Sequence, residues 1–75
     1  MSPKPPLLSG KEIIKALERI GYYRVSQRGS HVKIRNDKTE STLIIPDHKE
    51  VDRWTLKSIL KDAEISVEDF VKLLP

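Results

Sequence analysis

The sequence predicts an α+β domain with the element order α-β-β-β-α-α, a three-stranded antiparallel β-meander with helices packed on one face. Stretches with apolar residues at helical spacing flank a central segment in which apolar and polar residues alternate with a period of two. Only short turn clusters separate the alternating runs, too short for the crossovers that parallel strands require. The chain has 75 residues and no cysteine, which suits one small core built without disulfides.

Met1 to Pro6 contains Pro3, Pro5 and Pro6, and proline lacks the donor that a helix interior or central strand needs. Residues 1–8 therefore read as a flexible tail and residues 9–75 as a single domain. Ser9 and Glu12 have the spacing of a capping box, and Leu8 with Ile13 that of a hydrophobic staple, so a helix starts near Gly10. Its apolar stripe is Ile13, Ile14, Leu17 and Ile20, and Gly21 ends it. From Tyr22 to Gln27 the pattern becomes that of a strand, with Tyr23 and Val25 expected in the core and Tyr22 and Arg24 on the open side. Arg28-Gly29-Ser30 is a turn. The second strand then alternates His31, Lys33 and Arg35 with Val32 and Ile34. Asn36-Asp37-Lys38 turns the chain into a third strand, Ser41 to Ile45, which Pro46 stops. A helix capped by Asp52 carries Leu56, Ile59, Leu60 and Ala63, and a short last helix follows Ser66 with Val67, Phe70, Val71 and Leu74. The helices should cover Val32 and Ile34, leaving Arg24, His31, Lys33 and Arg35 on the other face.

Fourteen Lys and Arg against eleven Asp and Glu give a net charge of +3, which favours a polyanionic partner only where the cations gather. No apolar run is long enough for a membrane span or a signal peptide, so a soluble cytoplasmic protein is expected. His31 is the first chemical candidate, because an imidazole can take up and release a proton near neutral pH. A single histidine is more often a plain surface residue. Gly29, which would allow close approach, and the cations Lys33 and Arg35 on the same face favour a site for an anionic phosphate beside a general base. His48, in the loop after the third strand, is a possible auxiliary group, with local hydrogen bonding as its ordinary role. No metal-ligand spacing joins the two histidines, and no metal or cofactor is expected. Arg53, Lys57 and Lys61 form a cationic row that suits a phosphate backbone, although such rows are commonly just solvated helix faces. Tyr22, the tyrosine expected on the open side, could stack on an unpaired base, although packing within the sheet is the commoner role of such a residue.

Ser9-Gly10-Lys11-Glu12, Gly21-Tyr22-Tyr23, Gln27-Arg28-Gly29-Ser30-His31, Ile45-Pro46-Asp47-His48 and the segment Leu56 to Phe70 together resemble the HicA, or YcfA-like, family of toxins. The resemblance spans Ser9 to Leu74. It implies a fold like that of double-stranded-RNA-binding domains, messenger-RNA interferase activity, and a HicB-type antitoxin as partner. It also implies that His31 is the catalytic histidine. Trp54 departs from the glycine that many members have there. Joined to the residue reading, the resemblance gives a metal-independent endoribonuclease. Arg28, Gly29, Ser30, Lys33, Arg35, Lys57 and Lys61 are the expected RNA or phosphate contacts. A non-catalytic double-stranded-RNA-binding module is the alternative, and a basic module that docks an acidic protein is a third.

Overall fold

Ser9 and Glu12 fix the start of the first helix by exchanging hydrogen bonds: the Ser9 N–H donates to Glu12 Oε1 at 3.0 Å and the Glu12 N–H to Ser9 Oγ at 3.1 Å. In a computed structural model, which describes residues 7–75, the elements are α1 Gly10–Glu18, β1 Tyr23–Arg28, β2 His31–Asn36, β3 Ser41–Pro46, α2 Arg53–Asp62 and α3 Val67–Val71. This is the α+β order expected. The strands form one open antiparallel sheet in the order β1-β2-β3. Val32, Ile34, Leu43 and Ile45 enter the core from the sheet and meet Ile13, Ile14, Leu17, Leu56, Leu60 and Phe70 from the helices. Among the described residues no helix is long and apolar enough to cross a membrane.

The helix ends follow local chemistry. The Gly21 N–H bonds to the Glu18 carbonyl and the Tyr22 N–H to the Leu17 carbonyl, both at 3.2 Å, a Schellman closure with Gly21 at φ +106°. Ile20 lies past that end and is exposed, not part of the buried stripe. Its carbonyl accepts from the buried Asn36 side chain at 2.9 Å. The same closure ends α2, where the Ile65 N–H reaches the Leu60 carbonyl and the Glu64 N–H the Lys61 carbonyl. There Glu64, not glycine, takes the left-handed conformation at φ +56°. Asp52 caps α2 as expected, accepting from the Thr55 N–H and hydroxyl, both at 2.8 Å.

Three expectations change. The tail assigned to residues 1–8 falls largely on residues 1–6, outside the described residues, but Leu8 belongs with the domain. It is buried, and its carbonyl accepts the Val51 N–H at 2.7 Å in an isolated antiparallel bridge. The two tyrosines exchange places: Tyr22 is 4% exposed and Tyr23 43%. Tyr22 drops into the core just before β1, its hydroxyl donating to Ser41 Oγ at 2.8 Å. Tyr23 turns outward because β1 is bulged at Val25. Arg24 pairs with Ile34 and Ser26 with Lys33, so one extra residue shifts the alternation by a step. Arg24, paired with Ile34, is consequently on the helix-side face and not beside His31.

Gly10 has no room for a side chain, since a Cβ there would collide with the Pro46 carbonyl oxygen. Gly10→Ala is expected to destabilise the protein by about 1–3 kcal/mol through overpacking. Glu64→Gly, relieving the left-handed residue, should stabilise it by roughly 0.5–1 kcal/mol. Urea denaturation monitored by circular dichroism checks both.

Candidate functional site

The open face of the sheet is a grid of three rows, read directly from the register. Arg28, His31 and Pro46 form the first row, Ser26, Lys33 and Ile44 the second, and Tyr23, Arg35 and Thr42 the third. Directly opposed residues share a face, so these nine side chains lie on the side away from the helices.

His31 enters the first row from a two-residue turn. Gly29 has φ +58°, while Ser30 has no positive φ, the combination of a type II′ hairpin turn with glycine first. The space around Gly29 is open. Glycine is therefore required here for its backbone angle rather than for close approach of another segment. The Ser30 carbonyl accepts the Asp47 N–H at 2.6 Å, and the His48 carbonyl accepts the Gly10 N–H at 2.9 Å. The turn before His31 and the loop bearing His48 are thus tied by backbone hydrogen bonds to one another and to the start of α1. Gln27 adds a side-chain bond to the Gly29 carbonyl at 3.0 Å.

Exposed His31 stands between two shallow hollows. One, of about 330 Å³, is lined by His31, Ile44, Pro46 and His48 with Glu50, Val51, Asp52 and Thr55. The other, of about 430 Å³, is lined by Ser26, Gln27, Arg28, His31, Lys33 and Ile44. The structure therefore brings His31 together with Arg28 and Lys33 on one side and with His48 on the other. Arg35 is already engaged: its Nε donates to Asp37 Oδ1 at 2.8 Å and its Nη1 to Thr42 Oγ1 at 3.1 Å. Lys57 and Lys61, exposed on α2, line neither hollow. Among the described residues no three His, Asp or Glu side chains gather as metal ligands.

The third row holds a group that the sequence pattern placed in the core. The Tyr23 hydroxyl donates to both carboxylate oxygens of Asp37, at 3.0 and 2.9 Å. That bond, followed by the bond from Arg35, holds the Asp37 carboxyl below its ordinary range, and donation to Asp37 pushes the Tyr23 hydroxyl up. Asp52 is likewise lowered, by the backbone and then the hydroxyl of Thr55.

The model of a family described as the HicA toxin of bacterial toxin-antitoxin systems matches residues 10–65. The chain belongs to the HicA toxin family. The matched segment of this HicA-family toxin contains every residue lining the two hollows and stops short of α3. Membership makes it the toxin half of a pair whose other half is an antitoxin. No curated protein matches the chain.

Carboxyls lowered on folding stabilise the native state above their unfolded value. For Asp37 and Asp52 the contribution is complete above the usual 3.8 and is lost as pH falls through the folded values beneath it. Asp37→Asn should flatten part of the acid limb of stability while leaving its shape between pH 5 and 7 unchanged, as read from denaturation midpoints across the pH series.

Proposed function

We propose that this toxin is a messenger-RNA interferase, a metal-independent endoribonuclease of the cytoplasm that a HicB-type antitoxin holds in check. The observation that carries the reading is the position of His31, exposed between two hollows and flanked by Arg28 and Lys33 on the outer face of the sheet. Family membership supplies the toxin role into which this chemistry fits.

The mechanism follows from the groups present. His31 accepts the proton of a ribose 2′-hydroxyl as that oxygen attacks the adjacent phosphorus, and the bond to the 5′-oxygen of the next nucleotide breaks. Arg28 and Lys33 face the negative charge that builds on the non-bridging oxygens, a form of stabilisation that acts more strongly in the transition state than in the ground state. His48, which lines the same hollow, donates a proton to the departing 5′-oxygen, and exchange with water then resets both histidines. The products are a 2′,3′-cyclic phosphate and a free 5′-hydroxyl. DNA lacks the attacking group and is not cleaved. Gly29 and Ser30 set the direction from which His31 enters, Arg35 braces the sheet face beside Asp37, and Lys57 and Lys61 offer more distant phosphate contacts.

Purified His31→Ala should cleave RNA about 10²- to 10⁴-fold more slowly than the parent, the range for loss of a general base, and EDTA should leave the parent rate unchanged. Cleavage by His31→Ala at the parent rate would sink the general-base role, and EDTA inhibition the metal-free one. Expression of the parent should arrest growth, co-expression of the neighbouring antitoxin should relieve it, and His31→Ala should not arrest growth. RNA binding with no product under any condition points instead to a non-catalytic binding module.

A further inference from the structure

We infer that Tyr23 is a base-stacking platform that gives this toxin a requirement for an unpaired nucleotide a few positions from the cleaved bond. The inference rests on RNA being the substrate, and it concerns a residue that takes no part in the proton transfers described above.

Three observations lead to it. The bulge at Val25 places Tyr23 on the same sheet face as His31, and Tyr23 is 43% exposed there, so an aromatic side chain is presented to solvent where an amphipathic strand would have buried it. Its hydroxyl is fixed by both oxygens of Asp37, at 3.0 and 2.9 Å, and Asp37 is fixed by Arg35 at 2.8 Å. An anchored ring loses little conformational freedom on contact with a ligand. The same anchor pairs the Asp37 carboxylate with Arg35, so that it repels an approaching phosphate less.

The position fits a strand of RNA crossing the grid. Tyr23 lies opposite Arg35, four residues along β2 from His31, about 13 Å at the rise of a strand. Lys33 lies between them on the same face. A backbone whose scissile phosphate sits at His31 and whose neighbouring phosphate meets Lys33 delivers a base a few nucleotides away to Tyr23. A flat sheet face bearing an exposed aromatic and flanking cations is the arrangement that splays and stacks unpaired bases, whereas duplex RNA is held by its shape and backbone with its bases inside.

The test uses the full-length toxin and short oligonucleotides carrying 2′-O-methyl groups, which lack the attacking hydroxyl and so report binding alone by fluorescence anisotropy. Tyr23→Ala should weaken binding of the single strand about 5- to 150-fold, the range for loss of one base stack. Tyr23→Phe should keep most of the affinity, because the ring remains. Duplexes of the same sequence should bind both variants and the parent alike. A set of oligonucleotides each lacking one base should contain a position at which parent and Tyr23→Ala bind equally, and that position locates the stacked nucleotide. The inference is overturned if the folded Tyr23→Ala binds single strands as the parent does. It is equally overturned if its loss is the same at every missing base or on duplexes, if the parent binds no oligonucleotide, or if the variant loses only antitoxin binding. Cleavage of ordinary RNA by His31→Ala would overturn the general-base role and leave these binding measurements standing, so the two failures are separable.

Discussion

The structure depends on one close approach of backbone to backbone, where the start of α1 sits against the end of β3. Gly10 lies so near the Pro46 carbonyl that no side chain can be added, and its N–H bonds to the His48 carbonyl. That contact seats α1 over the sheet so that Ile13, Ile14 and Leu17 reach Val32 and Ile45. It also fixes the loop after β3, which in turn holds the turn that delivers His31 through the bond from Asp47 to Ser30. Core and candidate site therefore share one restraint. A disturbance at Gly10 reaches both, although Gly10 lines neither hollow.

The division of the sheet into two faces is what gives the molecule a usable surface. Strict alternation in β2 sends Val32 and Ile34 inward and His31, Lys33 and Arg35 outward. Three cations on one small face repel one another, and Asp37 relieves part of this by pairing with Arg35. Lys33 and Arg28 make no ion pair among the described residues, so their charge stays available in the hollow they share with His31, while Glu50 and Asp52 line the hollow on its other side. Unpaired cations beside the histidine are the local feature that attracts a polyanion.

Much of this was legible in the sequence because the signals were local. The capping box at Ser9 and Glu12, the Gly21 closure, the Asp52 cap and the alternation of β2 each need only a few neighbouring residues, and each is present in the structure. What escaped were features set by contacts distant in the chain. Nothing near Gly10 announces that a strand end 36 positions later will press on it, beyond the oddity of a poor helix former opening a helix. The places of Tyr22 and Tyr23 turned on a bulge that a period-two pattern cannot reveal, since Val25 looks like any other strand residue. A tandem of tyrosines after a helix-ending glycine signals that one is buried, but not which. His31 and His48, 17 positions apart, line one hollow only because Pro46 pairs with His31.

The bulge that turns Tyr23 outward also affects how copies of this chain meet each other. β1 is an outer strand of the sheet, exposed along its full length, and a straight strand in that position is a template on which another chain can add its own. An extra residue at Val25 breaks the spacing of free donors and acceptors, and Arg24 and Arg28 set a positive charge on either side of the break. A second copy approaching edge to edge meets a mismatched ladder and like charge. Along this edge of the sheet the bulge and the two arginines thus discourage the strand addition that a straight, uncharged edge invites.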